Sequence, residues 1–222
     1  MRRVELTNIC FHGIGHPRRD LEPGEGRYWV EPDLYHRVLD EIAETPDVRV
    51  SFDDGNVSDV EIALEGLLQR GLRATFFVLA GRVGRSGSLD RGGIVELCRQ
   101  GMVVGTHGMD HRSWRGLPPD GRDRELVQAR RQIEELTGSP VDLAALPLGQ
   151  YDRALLSHLK REGYAAVHTS DRRPAREGAW IQPRYSVRQD DTLESVRSAV
   201  LAGPGARRRL RLELAGLAKR IR

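Results

Sequence analysis

Apolar residues fall in short blocks along this chain, and the blocks alternate between two periods. Val4 to Phe11, Val48 to Phe52, Ala74 to Leu79, Val103 to Thr106, Val141 to Leu146 and Ala165 to Thr169 are rich in apolar and β-branched side chains and short enough to be buried strands. Between them the apolar positions recur at helical spacing, which predicts helices over Pro32 to Ala43, Ser58 to Gln69, Ile94 to Gln100, Arg122 to Leu136, Arg153 to Glu162 and Thr192 to Leu201. In the second of these Val60, Leu64, Leu67 and Leu68 form one face, with Ser58-Asp59 as cap and first turn. Gly71, Gly101, Gly138 and Gly163 follow helices that precede strands, where a C-terminal cap belongs. Strand and helix alternate throughout, the signature of an α/β fold. Gly13 to Gly26, rich in Gly, Pro and charge, predicts a long loop that overhangs the end of the first strand. There is no internal repeat.

Composition narrows the class without naming a function. At 222 residues the chain suffices for one well-buried domain, expected over residues 1–222, with 203–222 as a basic C-terminal helix. Thirty per cent charged and 39% hydrophobic residues are ordinary for a soluble protein. A net charge of +3 is too small to argue for nucleic acid, and no zinc-finger or RNA-recognition pattern occurs. Cys10 and Cys98 lie in apolar segments and read as small buried residues. Met1 to Glu5 is charged and no apolar leader follows it, and no stretch reaches the ~18 apolar residues of a membrane span, so a cytoplasmic location is expected.

The chemistry concentrates in two places. Ser51-Phe52-Asp53-Asp54-Gly55 ends the second strand with adjacent carboxylates, and about fifty positions later comes His107-Gly108-Met109-Asp110-His111. Side chains alternate along a strand, so Asp53 and Asp54 are expected to do different jobs. Two histidines four apart share one face of a helical turn. One carboxylate and two imidazoles make a ligand set that leaves positions open for water and substrate, and the second carboxylate is then free to act as a base. Taken singly, each half has a plain structural reading: Asp-Asp-Gly as a turn, the histidine pair as surface decoration.

With Pro147-Leu148-Gly149-Gln150-Tyr151, these segments resemble, in order and spacing over roughly residues 4 to 190, the polysaccharide deacetylase (NodB-homology) family of carbohydrate esterases. The resemblance implies a distorted (β/α) barrel, a divalent metal with zinc foremost, and removal of an acetyl group from an N-acetylated sugar or glycan precursor. An O-acetyl esterase, or an inactive metal- or glycan-binding homologue, would share the same motifs. It further implies Asp53 as catalytic base, Asp54, His107 and His111 as metal ligands, and the backbone N–H of Leu148 as oxyanion donor. Asp53-Asp54, His107 and Pro147-Leu148 all follow strands directly, at the end of a barrel where chemistry sits.

Three departures stand out. Gly108 replaces a Ser or Thr, Ala145 stands where the family carries an arginine, and no Leu-x-His appears near the C-terminus to supply a leaving-group acid. A lone arginine on the apolar stretch Trp180 to Val187 offers a substitute: Arg184, expected on a late strand, would reach the pocket and pair with Asp53 or Asp171. The alternative is a surface arginine with its stem along the barrel. His12, at the end of the first strand, reads equally as a pocket residue or a loop-orienting one, His168 as structural, and Asp110 as a turn residue. Trp180 could be a wall for sugar stacking or a buried aromatic. Leu210, Leu214, Leu217 and Ile221 sit at helical spacing in a basic tail, which could meet a partner or an anionic membrane; an amphipathic helix closing on the barrel is the expectation.

Overall fold

A computed structural model of the chain describes residues 5–200, 211 and 214–219. The strands are β1 (Glu5–Phe11), β2 (Gly13–Ile14), β3 (Trp29–Val30), β4 (Val48–Asp54), β5 (Ala74–Val78), β6 (Val103–Thr106), β7 (Leu143–Ala145), β8 (Ala166–Thr169), β9 (Ala175–Arg176) and β10 (Ile181–Ser186). The helices are α1 (Pro32–Ile42), α2 (Leu64–Gln69), α3 (Arg91–Arg99), α4 (Pro119–Arg122), α5 (Ala129–Thr137), α6 (Arg153–Arg161) and α7 (Leu193–Val200). A π-helical turn, Asp59–Ala63, leads into α2, and another, Asp123–Gln128, joins α4 to α5.

Seven parallel strands close into a barrel in the order β1, β4, β5, β6, β7, β8, β10 and back to β1. β9 adds antiparallel to β1, and β2 pairs with β3 as a small separate ribbon. This is the distorted (β/α) barrel. The expected strands and helices are all present, most within one or two residues. Ser58 does not cap; its Oγ instead accepts from the Ile14 N–H at 3.3 Å, tying the first loop to the second helix. Gly138, with φ +66°, shows why the predicted caps are glycine: the last turn of α5 ends in the left-handed region.

The register of the strands is pinned by aromatics. Phe11, Phe52 and Phe76 lie opposite one another on β1, β4 and β5, with ring centroids 5.7 and 4.6 Å apart, and Tyr35 of α1 meets Phe11 edge-on at 5.2 Å. Because side chains alternate, the face opposite Phe52 is where Asp53 emerges, one residue on. A second cluster, with Trp114, Leu126, Tyr151, Leu159 and Tyr164, packs the π-helical turn Asp123–Gln128 and α6 over β7 and β8. Trp180 belongs beside it: its indole donates to the Tyr164 carbonyl at 2.8 Å, and it does not line the pocket, so it is no sugar-stacking wall. Both cysteines are free thiols.

Of the C-terminal helix expected over 203–222, only 211 and 214–219 are among the described residues. There Gly216 is buried and Lys219 reaches Asp171 at 2.8 Å, while Leu214 and Leu217 are 57% and 51% exposed. The described part therefore meets the barrel through Gly216 and Lys219, and its leucines face outward, unlike the packed apolar face expected. Among the described residues no helix is long and apolar enough to cross a membrane.

Candidate metal centre and active-site pocket

A cavity of about 260 Å³ opens at the carboxyl end of the barrel strands. Asp53, Asp54, His107, His111, Leu148 and Arg184 all line it. Backbone strain collects there. Four non-glycine residues have positive φ in the described structure, and three of them, Asp54 (78°), His111 (49°) and Leu148 (57°), belong to this set.

That strain explains how adjacent aspartates reach one pocket. Strict alternation would send Asp53 and Asp54 to opposite faces; the left-handed conformation at Asp54 ends the extended run and turns its carboxylate back into the cavity. The histidine pair is likewise not on a helix, as its spacing predicted. His107 follows β6, and a loop with Gly108 at φ +87° and His111 at φ +49° brings the two rings to 5.5 Å. A Cβ on residue 108 would lie 2.5 Å from Glu125 Oε2 and 2.7 Å from Trp114 Nε1, so glycine is required there by space as well as by φ. Buried Glu125 holds this loop, accepting from the Met109 N–H at 2.7 Å and the Trp114 indole at 3.3 Å.

Asp54, His107 and His111 fit a divalent cation. Both Asp54 carboxylate oxygens are buried without a hydrogen-bond partner. The Nε2 atoms of His107 and His111 each lie 3.6 Å from Asp54 Oδ1, and one donor atom from each of the three residues falls within 4.8 Å of the others. Burial drives the His107 imidazole down to about 4, so it is neutral, and its Nδ1 donates to the Ala145 carbonyl at 2.9 Å. His111 Nδ1 is held by Glu22 Oε2 at 2.6 Å. Each contact places a proton on Nδ1 and leaves the Nε2 lone pair free toward Asp54, the arrangement a metal-binding histidine needs.

Asp53 is handled differently. Arg184, 1% exposed, donates from its two terminal nitrogens to the two Asp53 oxygens at 2.6 and 2.7 Å, and to Ser51 Oγ at 3.1 Å. Burial opposes ionisation of Asp53, but the Arg184 guanidinium and the neighbouring imidazoles outweigh it and hold the carboxyl well below the usual carboxylate range. Arg184 comes from β10, with only β8 between it and β7, the strand that ends at Ala145. Its partner is Asp53; Asp171 bonds instead to Tyr151, Thr169 and Lys219.

His12 also lines the pocket, with Nε2 3.9 Å from Asp53 Oδ2 and its ring stacked on Tyr28 at 4.6 Å. His168 lines a different cavity at the amino-terminal end of the strands, as a structural histidine should, and Asp110 pairs with Arg124 on the surface. Sequence reasoning missed Glu22, Glu125 and Tyr28. The long loop was visible, but no periodicity marks which of its acids turns inward.

The sequence profile of the polysaccharide deacetylase family matches residues 40–167. The chain belongs to this family. YxkH of Bacillus subtilis (strain 168) is 23% identical over 124 residues, covering 56% of this chain and 44% of YxkH, so the chain spans less than half the length of that curated relative. Two similar solved structures share the fold. BC0361, a polysaccharide deacetylase from Bacillus cereus, has a TM-score of 0.78 at 18% identity, over 89% of this chain and 69% of that one. The Streptococcus pyogenes deacetylase PplD, in complex with acetate, has a TM-score of 0.76 at 19% identity, over 89% and 99%.

Proposed function

We propose that this polysaccharide deacetylase family member is a metal-dependent hydrolase that removes the acetyl group from an N-acetylated sugar, with zinc as its ion. The observation that carries the reading is the buried Asp54 carboxylate, whose two oxygens lack any partner and face two imidazoles with free Nε2 lone pairs. A buried carboxylate left that way is costly unless a cation completes it. Asp54, His107 and His111 hold the ion, and when bound it supplies Lewis acidity for the acetyl oxygen and for a water.

The chain's own groups do the rest. Asp53, fixed by Arg184 and kept ionised, takes the proton of the attacking water and is the local store from which the departing amine is protonated. The Leu148 N–H donates to the acetyl oxygen as negative charge develops on it. Gly149 keeps the chain thin at that point: a Cβ there would lie 2.1 Å from Ser170 Oγ. The Leu148 side chain, 57% exposed, lines the pocket beside this donor. Glu22 orients His111 from the overhanging loop and thereby couples that loop to the ion.

Acetate release by the zinc-loaded protein over N- and O-acetylated glycans tests the reading. Release from an N-acetylated sugar is expected. Release from O-acetylated substrates alone would move the assignment to an ester hydrolase, and no release from either with zinc bound would contradict it.

A further inference from the structure

The charges lining the pocket are almost all accounted for. Glu22 pairs with Arg82 and His111, Glu25 with Arg19, and Asp53 with Arg184. Arg27 is different. It lines the same pocket, its Nε donates to the Gly24 carbonyl at 3.2 Å, and no carboxylate forms an ion pair with it among the described residues. Arg188, outside the pocket lining, shares the Tyr28 ring with it. The Arg188 and Arg27 guanidinium carbons lie 5.9 and 5.6 Å from the centre of the Tyr28 ring, and Arg188 Nε is buried without a hydrogen-bond partner. The two segments are tied together, because the Gln189 N–H donates to the Arg27 carbonyl at 2.7 Å.

Two guanidiniums at one aromatic ring, neither in an ion pair with a carboxylate among the described residues, create a local positive potential; the nearby Asp191 carboxylate accepts from the Arg188 backbone N–H at 3.0 Å. Arginine at such a place favours a planar or tetrahedral oxyanion, which it can grip through two parallel N–H donors. The position matters as much as the charge. Tyr28 stacks on His12, and His12 Nε2 lies 3.9 Å from Asp53, so Arg27 and Tyr28 stand on the wall of the same cavity as the proposed base, with Arg188 reaching the Tyr28 ring from outside that lining.

We propose that Arg27 and Arg188, mounted on Tyr28, form a subsite for an anionic group carried by the acetylated sugar, a phosphate or a carboxylate on or beside the sugar ring. This rests on the deacetylase reading and names the class of substrate within it. A neutral glycan would leave both guanidiniums without an anionic partner. An acidic sugar would neutralise them while its acetyl group lies toward Asp53.

The test uses the full chain, zinc-loaded, in calorimetry with N-acetylglucosamine, N-acetylglucosamine 1-phosphate and N-acetylmuramic acid, for wild type and the Arg27→Gln/Arg188→Gln double variant. At least one of the two anionic sugars should bind about tenfold more tightly than the neutral one, with an advantage that shrinks in high salt. Which of the two it is separates a phosphate from a carboxylate. The double variant should lose that advantage. It keeps Asp54, His107 and His111, so the loss cannot be a loss of metal ligands. Equal binding of all three sugars by the wild type, or an anion preference that survives in the double variant, would overturn the subsite. Acetate release from the same mixtures separates the two claims. A preference lost in the double variant but without turnover on any sugar would uphold the subsite and refute the deacetylase reading. Turnover with no anion preference would do the reverse.

Discussion

Toward the amino-terminal end of the barrel, Asn8 donates to Gln182 Oε1 and to the Pro183 carbonyl, both at 3.0 Å, and Gln182 donates onward to the Arg176 and Ala179 carbonyls. At the carboxyl end, the buried Asp54 oxygens have no partner, and three non-glycine residues are held at positive φ. Both ends bury polar groups inside one set of parallel strands. At the first, Asn8 and Gln182 satisfy one another and fasten β1 to β10, and among the described residues His168 Nδ1 alone is left without a partner beside them. At the second they are kept apart, aimed at a common point, and braced from behind by Arg184, Ala145 and Glu22. What marks the reactive end is unspent hydrogen-bonding capacity on a carboxylate that faces two imidazoles across one cavity.

The largest effect should follow from cutting the bracing at Asp53. Arg184→Met leaves a buried carboxylate unpaired and should cost about 3–5 kcal/mol of stability, along with the activity. Arg184→Lys keeps a charge but not the two-pronged grip, and should fold better while remaining strongly impaired. Denaturant melts and acetate assays of the two variants check this, and a Met variant as stable as wild type would mean the pair contributes little.

Next comes the contact behind the ligand set. Glu22→Gln should weaken zinc binding by about 10- to 100-fold, measured by competition with a chelator, because the carboxylate no longer fixes the His111 ring. Unchanged affinity would make Glu22 a loop residue only.

At the structural end, Asn8→Ala should cost about 1–3 kcal/mol by leaving Gln182 Oε1 without its donor, yet leave zinc affinity as it was. A shift in zinc affinity would show that the two ends are coupled.

The last effect is one of pH, and it leaves the site itself untouched. Burial pushes the His168 imidazole down to about 3. Its unfolded counterpart titrates near its ordinary value of about 6.5, so between these limits the unfolded chain binds more protons and stability falls as pH drops. The metal-free wild type should thus lose melting temperature more steeply from pH 6.5 to 4 than His168→Gln does; parallel curves would contradict the assignment.

The sequence carried the barrel well because β strands and helices here each have a clean period, and glycine caps mark the joins. Asp53-Asp54 and His107-His111 were legible as a group because they follow strands. Their geometry was not. The periods of regular structure predict an alternating carboxylate pair and a helical histidine pair, whereas left-handed residues at Asp54, Gly108 and His111 build the cavity. Arg184 stood out as a cation on an apolar strand, but choosing Asp53 over Asp171 as its partner required the closure of β10 on β1. Glu22 and Tyr28 lie on a long loop whose path depends on the β2–β3 ribbon, a two-residue pairing too short to leave a pattern.

The account's central claim is the division of labour between the two adjacent aspartates, and zinc content measured beside acetate release in Asp53→Asn and Asp54→Ala tests it most directly. Asp53→Asn should retain one zinc per chain and release no acetate, and Asp54→Ala should lose zinc and activity together. Equal loss of zinc in the two variants, or acetate released by Asp53→Asn at the wild-type rate, would contradict it.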